Sequence, residues 1–327
     1  MILMQWVGAL AGRIEDAFGH AWSLGELGLA LTRVDEILRD PHHRTLHEDV
    51  ATNGFHAPFD DGALDLAIAR DGAIHGTNPY QRVCGSRGDR VMGLLERAPR
   101  NPGRRLLVVC HCYGVPSPPV MRRLFELRGL DVDVVTNVMG HHQPGTYPAW
   151  PGSGLVSARL SRFVENLRCA VTGARALVRW LRIHEGYERV AVVGFSIGGQ
   201  LALHLAHTGD VDDAVLYCPV TSLATTAREL GLMRHVSPVI TPLLERVHGS
   251  RFEELLALAD PLAMRLAIDE ERMHVIAQRH DALARLAQIE AIRRKYPRVR
   301  WTLLPGTHLL PLGLREVRRA VRDALVG

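Results

Sequence analysis

The sequence predicts an α/β protein with a mostly parallel, doubly wound sheet, and three observations point to this class. From residue 104 onward, short apolar runs rich in β-branched residues alternate with longer stretches of helical periodicity. The apolar runs are nearly continuous, which is typical of parallel strands buried on both faces. The chain has 327 residues, 47% of them hydrophobic, so it can fill a large core.

Six strands are predicted in this part of the chain: "RRLLVVCH", "DVDVVTNV", "RVAVVGFS", "DDAVLYCPV", "RMHVIAQRH" and "VRWTLLPG". A long crossover helix is predicted over 157–185, because Phe163, Leu167 and Ala170 begin a set of apolar residues at helical spacing. Three shorter helices are also predicted. One begins at Gly198, and the other two span 283–296 and 314–325.

The remaining segments give a less regular pattern. Residues 1–44 are expected to form a helical extension, and residues 45–103 carry weak strand signals such as "ALDLAIA". Residues 222–258 contain apolar residues at helical spacing, two prolines and no strand. We expect them to form a helical cap inserted between two parts of the core, 45–221 and 259–327. Such an insertion would lie over the carboxyl ends of the strands, where α/β enzymes hold their ligands.

Composition and charge exclude several classes of function. The net charge of +4 is spread along the chain and aromatic residues are only 6%, so no nucleic-acid partner is expected. The five cysteines are odd in number and show no paired spacing, which is typical of a reduced, cytoplasmic protein. Cys110 and Cys112 lack two further ligands at zinc spacing, so no metal is expected.

The apolar start of the chain, "MILMQWVGALAGRIEDAF", does not predict a membrane span. Arg13, Glu15 and Asp16 interrupt it well short of the roughly 20 apolar residues that a span needs. We expect an amphipathic helix packed on the body of the protein and no stable membrane insertion. The alternatives are a contact with the membrane surface or a homodimer formed through this helix.

The motif "GFSIGG" gives the strongest indication of chemistry. It is a G-x-S-x-G pattern at the end of a predicted strand and the start of a predicted helix. A serine on so sharp a turn is forced toward positive φ. Side chains at positions 194 and 198 would collide with the returning backbone, hence Gly194 and Gly198. The turn would expose the Ser196 hydroxyl above the sheet; the alternative is a glycine-rich turn that serves packing alone.

A serine hydroxyl is a weak nucleophile, so it needs a general base and a group that orients the base. His308 in "GTHLL" follows the last predicted strand and is the candidate base. Asp281 in "RHDAL" follows the preceding strand and is the candidate acid, with Asp260 and Asp269 as substitutes. Asp281 would also suit the N-cap of the next helix.

From about residue 104 to the end, the sequence resembles the α/β-hydrolase superfamily in its elbow "GFSIGG", its acid loop "RHDAL" and its histidine loop "GTH". The chain order Ser196, Asp281, His308 is the order used by that superfamily. The resemblance implies a mostly parallel eight-stranded sheet of the α/β-hydrolase type, with its early strands before residue 104 and a variable cap.

The resemblance also implies an oxyanion hole, although one loop departs from the usual His-Gly-x-Gly pattern. Here it reads His111, Cys112, Tyr113, Gly114. We expect one donor to be the backbone N–H of Ile197 and the second to be the N–H of Cys112 or Tyr113, or the Tyr113 hydroxyl. A thiol nucleophile at Cys112 beside His111 is disfavoured because adjacent residues at a strand end point to opposite sides.

Four further residues are expected to line the substrate pocket, two in the oxyanion loop, one in the Pro/Gly-rich segment 140–154 and one in the cap: His111, Gly114, His141 and Met233. The expected activity is metal-independent and cofactor-free hydrolysis of a small-molecule ester, thioester or lactone by Ser196, His308 and Asp281. The alternatives are carbon–carbon bond hydrolysis or acyl transfer with the same triad, and a non-catalytic binding protein of the same fold.

Overall fold

The computed structural model describes most of the core and only part of the expected extension and cap. It describes residues 11–17, 20, 42–80, 82, 90–114, 118–125, 127, 129–143, 151–152, 155, 160–222, 225–226 and 251–326. Met233, Cys84 and most of the expected cap lie outside the described residues. Of the expected N-terminal extension 1–44, residues 11–17, 20 and 42–44 are described, and residues 11–17 are helical.

The described residues form one nine-stranded sheet in the order β1-β2-β3-β5-β4-β6-β7-β8-β9. In chain order, the strands are β1 (Ala67–Ile68), β2 (Ala73–Thr77), β3 (Arg90–Glu96), β4 (Arg105–Cys110), β5 (Asp133–Asn137), β6 (Arg189–Phe195), β7 (Asp213–Tyr217), β8 (Met273–Gln278) and β9 (Arg300–Leu304). The last six confirm the strands predicted from residue 104 onward.

Strands β5, β4, β6, β7, β8 and β9 pair in parallel, and β1, β2 and β3 add an antiparallel edge. The expected count of eight strands was one too low. The two-residue β1 pairs with β2 through the turn in which the N–H of Gly72 donates to the carbonyl of Ala69 at 3.0 Å. A strand of two residues carries no periodicity from which it could be predicted.

Besides the helical segment 11–17, the described chain has the following helices: α1 (His43–Asn53), α2 (Pro118–Leu124), α3 (Leu160–Glu185), α4 (Ile197–Thr208), α5 (Arg251–Leu258), α6 (Leu286–Lys295) and α7 (Leu314–Val326). The long crossover helix and the three shorter predicted helices correspond to α3, α4, α6 and α7. No helix among the described residues is long and apolar enough to cross a membrane.

The centre of the sheet determines where a site can form. Strands β5 and β7 are buried along their whole length, and β4 and β6 are buried at every position except the first. Cys110, the last residue of β4, is in register with Gly194 near the end of β6. The loops that follow these two strands therefore leave the sheet side by side at its carboxyl edge.

Candidate active site

The serine of the G-x-S-x-G motif lies between β6 and α4 in a strained conformation. Ser196 has φ 61° and ψ −121°, outside the regions that residues with a side chain normally occupy. Its N–H donates to the carbonyl of Tyr217 at 3.0 Å, and its own carbonyl accepts from the N–H of Val220 at 3.1 Å. These bonds to the segment after β7 hold the turn, and Ser196 remains only half-buried.

The neighbouring glycines are required by close backbone approaches. A Cβ on Gly194 would lie 2.0 Å from the carbonyl oxygen of Gly198. A Cβ on Gly198 would lie 2.2 Å from the carbonyl oxygen of Cys110 and 2.4 Å from that of His111. The expected collision within the turn is confirmed for Gly194, whereas Gly198 is required because the end of β4 and the start of the 111–114 loop lie against the turn that carries Ser196.

The structure pairs the candidate acid with the candidate base. Oδ2 of Asp281 lies 2.7 Å from Nδ1 of His308, and both side chains are buried. The imidazole ring of His308 stacks on the ring of Phe195, with centroids 4.7 Å apart. Because Phe195 directly precedes Ser196, this contact brings the base beside the turn that carries the serine.

The second oxygen of Asp281 has a structural task of its own. Oδ1 accepts from the N–H groups of Leu283 at 2.9 Å and Ala284 at 2.6 Å. The carboxylate therefore both orients His308 and holds the following turn, although α6 itself begins only at Leu286. The alternative acids act elsewhere: Asp260 caps the 3₁₀ turn Pro261–Ala263, and exposed Asp269 precedes the turn Glu270–Arg272.

The surroundings of His308 act on its pKa in opposite directions. Burial alone would lower it, but the negative charge and hydrogen bond of Asp281, together with the charge of Glu15, outweigh burial. The pKa of His308 is therefore raised above its ordinary value of 6.5. A raised imidazole pKa makes the ring a stronger acceptor for a proton from a hydroxyl.

A compact turn after β9 fixes the backbone around His308. Gln278, at the end of β8, accepts from the N–H of Gly306 at 2.6 Å and donates to the Tyr217 hydroxyl at 2.7 Å and to the carbonyl of Leu312 at 2.8 Å. The Thr307 hydroxyl accepts from the N–H of Leu310 at 3.0 Å. Position 306 has no room for a side chain, because a Cβ would lie 2.6 Å from the Leu312 nitrogen.

The 111–114 loop is held by two histidines. His111 is fully buried; its Nδ1 donates to the carbonyl of Cys112 at 2.8 Å, and its Nε2 accepts from the N–H of Met139 at 3.1 Å. The Nε2 of His142 accepts from the N–H of Gly114 at 3.2 Å. The structure therefore favours a role in holding the loop for His111 over the expected contact with substrate.

The other residues expected in the pocket and the oxyanion hole lie at the start of α4, in the 111–114 loop and in the turn after β5. Ile197 is the first residue of α4, so its backbone N–H lies at the amino end of that helix. The ring of Tyr113 packs edge-on against the ring of His142, with centroids 5.7 Å apart. His141 is half-buried in the 3₁₀ turn Gly140–His142, and Gly114 is half-buried with φ 75°. Ile197, Cys112 and Tyr113 are therefore the candidate oxyanion donors.

The thiols near the site are poor nucleophiles. Burial raises the pKa of Cys112 to about 11 and that of Cys110 to about 12. The Sγ atom of Cys218 and the ligand atoms of Asp281 and His308 all lie within 4.8 Å of one another. Burial, followed by the charge of Asp281, raises the pKa of Cys218 well above its usual range. These surroundings favour the neutral thiol of Cys218, which is a weak nucleophile.

The sequence did not point to three residues that shape this site. Phe195 supports the His308 ring, Gln278 ties together the two loops that carry Asp281 and His308, and Glu15 reaches the same loops from the N-terminal helix. A polar residue at the end of a buried strand could have drawn attention to Gln278. No local pattern marks Phe195 or Glu15, because each acts through a contact distant in sequence.

The sequence model of the alpha/beta hydrolase family matches residues 107–326, more than half of the chain. The protein belongs to the alpha/beta hydrolase family. The matched region contains the Ser196 turn, the Asp281 loop and the His308 loop, so the resemblance expected from those three motifs is confirmed. No curated protein sequence matches this chain.

Solved structures of similar fold include esterases. The acetyl xylan esterase from Paenibacillus sp. R4 superposes with a TM-score of 0.57 at 14% identity, covering 87% of this chain and 94% of that one. Acetyl xylan esterase 1 from Thermoanaerobacterium sp. JW/SL YS485 gives a TM-score of 0.54 at 15% identity, covering 87% and 93%. An esterase from Pyrococcus furiosus gives 0.50 at 14% identity, covering 82% and 94%. At these identities the likeness shows the alpha/beta hydrolase fold.

Proposed function

We propose that this alpha/beta hydrolase cleaves a carboxylic ester, thioester or lactone through an acyl-enzyme on Ser196. The observation that carries the proposal is the 2.7 Å Asp281–His308 pair stacked beside the strained turn of Ser196. Strained backbone concentrates at functional sites, because it persists only where the surrounding structure imposes it. Several solved structures of similar fold are esterases, which adds support from outside the chain.

In the proposed reaction, the Ser196 oxygen attacks the substrate carbonyl carbon while Nε2 of His308 takes the hydroxyl proton. Asp281 holds the other ring proton on Nδ1, which keeps Nε2 available as the acceptor. The N–H of Ile197, with Cys112 or Tyr113, would hold the negative charge on the carbonyl oxygen. The imidazolium then protonates the leaving group, and water releases the acyl group by the same steps.

The surface beside His308 favours an apolar acyl group. Leu309 and Leu310 directly follow the base, and their side chains are 51% and 46% exposed. Large aliphatic side chains exposed together next to a site are typical of surfaces that contact an apolar ligand or a covering segment.

The test is hydrolysis of p-nitrophenyl esters from acetate to long acyl chains, with fluorophosphonate labelling in parallel. We expect turnover and labelling in wild type, and neither in Ser196→Ala. Ser222→Ala is a matched control, because among the described residues the contact of that half-buried hydroxyl is one hydrogen bond accepted from the N–H of Thr225. The chain-length optimum would report the size of the acyl pocket.

Two outcomes would contradict the proposal. Turnover that survives in Ser196→Ala would place the chemistry on another group. A folded wild type without turnover or labelling would favour a binding protein of the same fold. Labelling at Ser196 without turnover of any ester would instead direct attention to acyl transfer or carbon–carbon bond cleavage.

A further inference from the structure

A buried carboxylate of the N-terminal helical segment lies against the candidate active site. Within residues 11–17, Arg13 and Ile14 are exposed, whereas Glu15 is only 1% exposed. Carboxylates are rarely buried so completely unless hydrogen-bond donors or cations surround them. The partners of Glu15 therefore indicate why the chain places an acid there.

Within the described part of the chain, those partners are two backbone N–H groups on two different loops. Oε2 of Glu15 accepts from the N–H of Ala282 at 3.3 Å, and Oε1 accepts from the N–H of Leu309. Ala282 directly follows Asp281, and Leu309 directly follows His308. One carboxylate thus bridges the two loops that supply the acid and the base, from a position 267 and 294 residues away in sequence.

The helical segment comes close to the acid loop at a second point. A Cβ on Gly12 would lie 2.9 Å from the carbonyl oxygen of His280, the residue before Asp281. Real Cβ atoms do not approach a backbone oxygen so closely, so the absence of a side chain at position 12 lets the segment sit where Glu15 reaches both loops.

We propose that Glu15 is a positioning residue for the Asp281–His308 pair, so that the N-terminal segment forms part of the support of the active site. The inference rests on the proposed function of that pair. Glu15 acts by fixing the backbone after Asp281 against the backbone after His308. Its bridge sets the distance between the two loops, and with it the direction in which the imidazole points toward Ser196.

The charge of Glu15 gives the proposal a readout that a purely structural role would not move. Among the described residues, the groups that lie near His308 are the carboxylates of Asp281 and Glu15, the thiol of Cys218 and the ring of Phe195. Both carboxylates raise the pKa of His308. Removing the charge of Glu15 should therefore lower that pKa, and the midpoint of the acidic limb of kcat/KM should move to lower pH.

The experiment compares Glu15→Gln and Glu15→Ala with wild type in the full chain. Glutamine keeps one acceptor oxygen, but its amide NH₂ cannot accept from the second N–H, and the charge is gone. We expect a plateau kcat reduced roughly tenfold in Glu15→Gln and further in Glu15→Ala, because small misplacements of catalytic groups are costly. Arg13→Gln, an exposed change on the same segment, should leave the plateau and the midpoint unchanged.

An NMR titration of the His308 imidazole, assigned by comparison with His308→Ala, provides a measurement that does not depend on turnover. A lower His308 pKa in Glu15→Gln is expected. An unchanged pKa together with an unchanged plateau kcat would overturn the inference, even if Glu15→Ala failed to fold. Turnover that survives in Ser196→Ala would instead overturn the proposed function, while the NMR titration would still decide whether Glu15 acts on His308.

Discussion

Substituting Asp281 by asparagine isolates the orienting role of the carboxylate from its structural role. In the folded protein, Oδ1 accepts from the N–H groups of Leu283 and Ala284, and Oδ2 accepts from Nδ1–H of His308. An asparagine amide is expected to keep its oxygen on the two N–H groups. The reverse orientation would leave two N–H donors without an acceptor, at a cost of about 1–3 kcal/mol each where they are buried.

The favoured orientation turns the amide NH₂ of the asparagine toward His308. Nδ1 must then accept a hydrogen bond, so the single proton of the neutral imidazole moves to Nε2. The nitrogen that should accept the Ser196 proton is thereby blocked. The expected loss in kcat is about 10⁴-fold, the effect of a wrong imidazole tautomer in serine protease triads. This loss equals roughly 5.5 kcal/mol of activation free energy.

The assay combines kcat on the best p-nitrophenyl ester with urea unfolding. Stability of Asp281→Asn should stay within about 1 kcal/mol of wild type, because the bonds of the turn remain. Exposed Asp269, which makes no side-chain capping bond, supplies the matched control Asp269→Asn. The reasoning is refuted if Asp281→Asn keeps more than about a tenth of wild-type kcat, or if Asp269→Asn loses as much.

Two further predictions concern the packing of the elbow and the buried histidines. Gly198→Ala places a Cβ 2.2 Å from a backbone oxygen, so it should lower the unfolding free energy by about 3 kcal/mol or more and abolish fluorophosphonate labelling. The control is Gly62→Ala, whose Cβ would lie 3.4 Å from its nearest neighbour. Equal stabilities of the two variants would contradict the steric argument. Burial lowers the pKa of several histidines, so below pH 6.5 the unfolded chain binds protons that the folded one does not. Unfolding free energy should then fall by about 1.2 kcal/mol for each of them as the pH is lowered from about 7 to about 5.5. His308, with its raised pKa, changes the stability only above pH 6.5. The histidines concerned are His56, His111, His142, His204 and His207. Urea unfolding between about pH 7 and about pH 5.5 measures this effect, and an unfolding free energy that does not change with pH would contradict it.

Local patterns in the sequence determined much of the fold. Six continuous apolar runs predicted β4 to β9, and helical spacing predicted α3, because the periodicity of a buried strand or an amphipathic helix is contained within a few residues. The elbow was readable for the same reason. Gly194, Ser196 and Gly198 are close in sequence, and the contact that requires Gly194 lies within that one turn, whereas Gly198 is required by the distant backbone of Cys110 and His111.

The tertiary structure decided which distant residues share the site. The sequence left Asp260 and Asp269 as substitutes for Asp281, and only the 2.7 Å contact with His308 separates the three. Likewise, His111 was expected to touch substrate, but its ring is enclosed by the backbone of its own loop and of Met139.

The role of Glu15 could not be found from sequence at all, since it rests on contacts that span most of the chain. Spacing along the chain predicts neighbours within a helix or a strand. Contacts between loops are instead created when parallel strands carry their carboxyl ends to one edge of the sheet, and packing at that edge then determines which polar atoms meet.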